Sequence, residues 1–205
     1  MTFIANLIEK KEDLELIKFD KRFHLEGLAL RSSEWMQQDI FTNNQSETEL
    51  MRYIFRLLRN ILTTTKTIAM VGLSMNETRP SYFVGRYLHM RGYKIIPVNA
   101  GHGGKHFFGQ VVVSSIEEID EPVDMIDIFR KPEAVPQIVD DCLAKLKGLK
   151  TIWMQIGITH ESAALKARQA GLNVIENRCP KIEHQRLFGE LRKAGFATNI
   201  ISSRL

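Results

Sequence analysis

Cysteine is almost absent from this sequence of 205 residues: Cys142 and Cys179 are the only two, and they form no CxxC pair. That excludes a disulfide-stapled scaffold and a cysteine zinc cage. Six prolines and thirteen glycines show no repeating register, so collagen-like and polyproline architectures are excluded too. Long apolar runs are missing. The stretch 111–113 is typical, against about 20 residues for a membrane span. The first eleven residues have no basic lead and no small-residue cleavage pattern, so no signal peptide is expected. A reducing, cytoplasmic setting is the expectation. The six histidines contain no HExxH, and metal binding is not expected.

What remains is an ordinary globular composition: 44% hydrophobic, 25% charged, net charge +4. A chain of this length can bury a full core unaided. The charge is unevenly spread. From residue 178 onward stand Arg178, Lys181, Arg186, Arg192, Lys193 and Arg204 against Glu183 and Glu190, a surplus as large as that of the whole chain. Such an end suits a polyphosphate, a nucleic acid or simply solvent. Only Phe188 and Phe196 interleave it, too few for base stacking, so no nucleic-acid partner is expected.

Residues 1–45 mix charge with apolar residues and end in a polar stretch, reading as an N-terminal helical extension to a domain of residues 46–205. Ser46 and Glu49 have capping-box spacing, and Leu50, Ile54, Leu57, Leu58 and Ile61 follow at helical period, predicting a helix over 47–62. From Lys66 short β-rich runs alternate with helical stretches. Strands are expected at 67–71, 93–98, 123–129, 151–156 and 172–176. Helices are expected at 80–91, 115–119, 132–146 and 160–170, with a basic helix from 181. Five strands separated by crossovers predict an α/β fold, a Rossmann-like doubly wound five-stranded parallel sheet.

Ligands of such sheets lie beyond the carboxyl ends of the strands. Those ends carry Gly72, Ser74, Asn76 and Arg79; then Asn99 and a glycine-rich loop with Lys105; then Phe129, Arg130 and Lys131; then Gln155, Gly157 and Ile158; and finally Asn177, Arg178 and Cys179. Gly72 admits a close backbone approach, Ser74 and Asn76 are short polar groups, and the helix opening at Pro80 turns its free N–H groups to the same place. Arg79, Arg130, Lys131 and Arg178 add positive charge, so a phosphate-rich nucleotide is expected. The dinucleotide fingerprint is absent: the first loop has one glycine, and the second strand ends in Asn99 rather than an acid. Ordinary NAD binding is disfavoured for that reason.

The segments VGLSMNETRPS, GYKIIPVN, PVDMIDIFRKPE, IWMQIGITHE and NRCPKIEH, in this order over about residues 64–188, resemble the small bacterial CoA-binding proteins of the YccU-like family. They also resemble the CoA-binding domain of the succinyl-CoA synthetase α subunit. The resemblance implies coenzyme A as the cofactor and CoA or an acyl-CoA as the partner. It implies that Gly72, Ser74, Asn76 and Arg79 hold phosphates and that Asn99 borders the adenosine. It further implies that Phe129 and Arg130 flank the nucleotide, and that Gln155, Gly157 and Ile158 line the pantetheine arm. Arg178 stands inside what resembles an Asn-Cys-Pro triplet. Ala100 departs from the proline expected there.

No catalytic residue is assigned. Cys179, with Arg178, Lys181 and His184 close in sequence, is the nucleophile candidate if its thiol is activated. A small buried cysteine at a turn is the plainer reading. Glu183 is expected to partner a basic neighbour. A CoA-binding protein without turnover of its own is therefore expected, with an acyl-thioester or NAD(P) enzyme of the same fold as the alternative and a homodimer left open.

Overall fold

The structure, a computed structural model, describes residues 44–195, with side chains from residue 51. The expectations for the extension up to residue 43, and those for Phe196 and Arg204, lie outside the described residues. Helix α1 (Asn44–Thr64) begins before the expected cap. Ser46 therefore lies inside the first turn, and the capping-box reading is corrected.

The chain then alternates. Strand β1 is Thr67–Val71, helix α2 Pro80–Met90 and strand β2 Lys94–Val98. A two-stranded antiparallel hairpin follows, β3 (His106–Phe107) and β4 (Gln110–Val111). A 3-10 turn at Ile116–Glu118 stands where a short helix was expected, and leads to β5 (Met125–Ile128). A second 3-10 turn, Pro132–Ala134, runs into α3 (Val135–Lys145). The rest is β6 (Thr151–Met154), α4 (Glu161–Gln169), β7 (Asn173–Ile175), α5 (Pro180–Leu187) and α6 (Glu190–Lys193).

The five-stranded sheet has the order β2-β1-β5-β6-β7, and every pairing in it is parallel. The order reverses between β1 and β5, where crossovers leave in opposite directions and open a crevice. Ala69, Val71, Ile126, Ile128, Ile152 and Met154 face a core completed by Val135, Val139 and Cys142 of α3 and Ala163, Ala164 and Ala167 of α4. Side chains alternate along a strand, so Met70, Asp127 and Trp153 point to the other face. There Gly85 of α2 packs against Met70, where a Cβ would come 3.2 Å from its Sδ. Helices therefore cover both faces, as the continuous apolar strands require.

Local sequence explains the helix ends. Pro80 opens α2 at its first turn, where its missing N–H costs no hydrogen bond. Gly92, at φ +91°, closes it: Gly92 N donates to His89 O and Tyr93 N to Leu88 O, the Schellman pair of bonds. Helix α1 docks on the same unit. Leu58, Ile61 and Leu62 are buried, and Tyr93 Oη donates to Leu62 O at 2.6 Å. Each such apolar side chain contributes about 1.5–3 kcal/mol by leaving water. Among the described residues, no helix is long and apolar enough to cross a membrane.

Candidate functional site

The crevice is built on Gly72. Its φ is +90°, and a Cβ there would sit 2.8 Å from Phe129 O and 2.9 Å from Arg130 Cδ. The backbones after β1 and β5 thus meet at the switch point, and the Arg130 side chain lies across Gly72. Gly72 N donates to Val98 O and Phe129 N to Val71 O, so three strand ends are laced together.

The loop after β1 is held by its own side chains. Ser81 Oγ accepts from Ser74 N at 3.0 Å, Ser74 Oγ from Asn76 N at 3.1 Å, and Asn76 Oδ1 from Thr78 N at 2.9 Å. Ser74 and Asn76 therefore spend their acceptor oxygens on shaping the turn. Arg79 occupies the N-cap of α2 in extended conformation, without a side-chain cap bond. Among the described residues, neither Arg79, Arg130 nor Lys131 has an ion-pair partner, and all three are exposed.

Asn99 ties the second loop to the first. Its Nδ2 donates to Leu73 O at 2.8 Å, and its Oδ1 accepts from Gly101 N at 2.9 Å. Beyond it the hairpin sets Phe107 and Phe108 in stacked contact, ring centroids 4.0 Å apart, with Tyr82 of α2 beside both. Periodicity cannot reveal strands of two residues, and this hairpin was not anticipated. His102 and His106 stand four apart there but on a turn and a strand, not on one helix face. No three His, Cys, Asp or Glu side chains cluster as a metal site among the described residues.

Past β6, Gln155 is buried and its Nε2 donates to both carboxylate oxygens of Asp127, at 2.9 and 3.1 Å. Burial pushes the Asp127 carboxyl up to about 8, partly offset by Gln155. Asp127 escaped the sequence reading. Its signal was one acid inside the apolar run Met125-Ile126-Asp127-Ile128. Gly157 N donates to Asn177 Oδ1 at 2.7 Å and Asn177 N to Ile158 O at 3.2 Å, so the loops carrying Gly157, Ile158 and Arg178 are joined.

Arg178 differs from the other rim cations. Its Nη1 donates to Glu183 Oε1 at 2.8 Å, and Arg186 binds the other oxygen of the same buried carboxylate. Glu183 is thus the charge partner expected of it, and the basic chain end is partly neutralised within its own helix. Cys179 is buried at the N-cap of α5. Burial pushes its thiol up, against the lowering effect of N–H donors from Ile182 and Lys181 and of the Lys181 charge. The activation imagined from its basic neighbours is not present. His184 is engaged elsewhere: its Nδ1 meets Tyr87 Oη at 2.9 Å, and burial lowers its pKa.

The crevice thus brings together Gly72 with the Phe129 backbone and the Arg130 side chain, Asn99 with the first loop, and Gln155 with Asp127. Residues 66–185 of this chain match the protein family described as CoA binding domain. The chain belongs to that family. Over 127 residues it is 35% identical to the uncharacterized protein YneT of Bacillus subtilis (strain 168), covering 62% of this chain and 91% of YneT. Among solved structures, cell-free ID.343 from Thermus thermophilus is 37% identical with a TM-score of 0.62, covering 65% of this chain and 98% of that one. A hypothetical protein from Pyrococcus horikoshii OT3 is 34% identical with a TM-score of 0.61, covering 66% and 92%. The CoA binding domain match takes in all five strands of the sheet and stops within α5. Helix α1 lies outside it, yet packs on it.

Proposed function

We propose that this member of the CoA binding domain family binds coenzyme A or an acyl-CoA across the carboxyl ends of β1, β2, β5 and β6, without turnover of its own. The observation that carries the reading is the switch-point crevice, where the family match coincides with a Gly72 backbone approach rimmed by Arg79, Arg130 and Lys131. Three cations without carboxylate partners among the described residues suit a ligand of high negative charge, and guanidinium groups pair phosphates in two-pronged fashion.

In this reading the N-terminus of α2, Ser74, Asn76 and Arg79 face the phosphates. Asn99 borders the adenosine, and Phe129 and Arg130 flank the nucleotide. Gln155, Gly157 and Ile158 line the pantetheine arm, with Arg178 shaping that wall through its bond to Glu183. Residues 46–205 form the binding domain, working in the cytoplasm. A buried Cys179 with a raised thiol is a poor nucleophile, which favours binding over thioester chemistry.

Titration calorimetry with CoA, 3′-dephospho-CoA and NADH tests the reading. Tight binding of CoA, weakened by loss of the 3′-phosphate, is the expected result. Equal affinity for NADH overturns it.

A further inference from the structure

Asp127 is fully buried, on a strand at the centre of the sheet, one residue short of the end of β5. A buried carboxyl needs a partner. In the sheet Asp127 is flanked by Met70 and Trp153, neither of which titrates. From α5, the Cys179 thiol feels its charge, but that thiol is itself held protonated by burial. Glu183 of the same helix is neutralised by Arg178 and Arg186. The one hydrogen-bond partner of the Asp127 side chain among the described residues is Gln155.

The geometry of that pair has a consequence for the crevice. Gln155 Nε2 lies between both carboxylate oxygens, which is the arrangement an ionised acid prefers. Gln155 Oε1 then accepts nothing from the described residues. Among the described residues no buried side-chain nitrogen or oxygen lacks a partner, so Oε1, which has none there, is not sealed from solvent. A protonated Asp127 has an O–H to donate, and Oε1 is the acceptor atom of the one side chain already bonded to it. Turning the amide over to meet that O–H would face its N–H group outward.

We propose that Asp127 is a positioning residue whose proton decides whether Gln155 offers the crevice a donor or an acceptor, and hence whether that part of the crevice takes a carbonyl or an N–H of an amide-bearing ligand arm. This rests on the CoA reading above and deepens it, since the pantetheine arm carries both groups. Protonated, the pair takes a carbonyl. Ionised, it presents an acceptor and places a negative charge beneath a polyanionic ligand.

Asp127→Asn provides the test, because its side-chain N–H can hold Gln155 Oε1 permanently as the acid proton would. CoA affinity of the full chain is measured by calorimetry from pH 6 to 9.5 for both proteins, so that titration of CoA itself cancels in the ratio. The ratio is expected to be near one below pH 7, with wild type becoming at least about three-fold weaker by pH 9.5. A ratio independent of pH overturns the proposal. A second, ligand-free measurement follows the Gln155 side-chain N–H resonances, assigned with Gln155→Glu. Their hydrogen exchange, compared with the base-catalysed rise seen in Asp127→Asn, is expected to show a step of added protection in wild type as Asp127 ionises. Resonances without that step overturn the switch whether or not CoA binds. Absence of CoA binding with an intact step overturns the CoA reading instead.

Discussion

Asn99 donates its side-chain N–H to the carbonyl of Leu73 at 2.8 Å, joining the loop after β2 to the loop after β1. The same side chain accepts from Gly101 N, so one amide fixes both walls of the crevice at that corner. Asn99→Ala removes both bonds and is expected to cost about 1–2 kcal/mol. Asn99→Asp keeps the acceptor toward Gly101 and loses the donor toward Leu73. It also sets a negative charge where the proposed ligand is anionic. Thermal melting should therefore place Asp between wild type and Ala, whereas calorimetry should place Asp as the weaker binder of CoA. The opposite order in calorimetry would mean that Asn99 acts only through the fold.

The rim cations divide into two kinds. Arg79 is exposed and has no ion-pair partner among the described residues, while Arg178 is bonded to the buried Glu183. Arg79→Glu should weaken CoA binding by more than about ten-fold and leave the melting temperature within about 1–2 °C, since an exposed charge carries little stability. Arg178→Ala leaves the Glu183 carboxylate with one arginine in place of two. It is expected to lower stability by about 1–3 kcal/mol. Parallel melting and calorimetry on the two variants check the division. A large melting loss in Arg79→Glu would make Arg79 structural.

The sheet was legible because each strand is a short apolar run separated from the next by a helix with its own end signals. Pro80 and Gly92 bracket α2 as the sequence indicates. The switch-point residues followed, since strand ends and glycine positions are properties of the chain order. What the sequence does not display is which polar groups consume one another. The sequence suggests a basic partner for Glu183 without saying which; the structure gives it both Arg178, five residues before it, and Arg186. Asp127 looks like one more charge until the pairing of β1, β5 and β6 places it at the sheet centre with Gln155 as its partner. The α1 boundary also misled, because capping-box spacing can occur inside a helix that begins a turn earlier.

Cys179 is buried, and burial pushes its thiol up. Cys142, packed between α3 and the sheet, is likewise raised. Both thiols should therefore react slowly with a soluble disulfide reagent at pH 8, on the order of 100-fold below a free thiol. Both should react fully once the protein is unfolded. Following released chromophore with and without denaturant measures this directly. Rapid native reaction of one thiol, lost in Cys179→Ala, would restore Cys179 as a nucleophile candidate.

The buried Asp127 also makes stability depend on pH in a definite direction. In the unfolded chain its carboxyl titrates near the ordinary 3.8, and in the folded protein near about 8. Between those values the folded state holds a proton that the unfolded state has lost. Its contribution is therefore fully present below about pH 4 and declines as pH rises, and the decline ends once the folded carboxyl ionises near pH 8. Wild type should melt at progressively lower temperature from pH 5 to pH 9 relative to Asp127→Asn, which carries no titrating group there. The two should melt within a few degrees of each other at pH 5. At pH 9 the Asn variant should be more stable by an amount on the order of a few kcal/mol, the scale of a buried carboxylate paired only with an amide. Melting curves that run parallel over this range would show that Asp127 is already ionised throughout, and that Gln155 alone satisfies it.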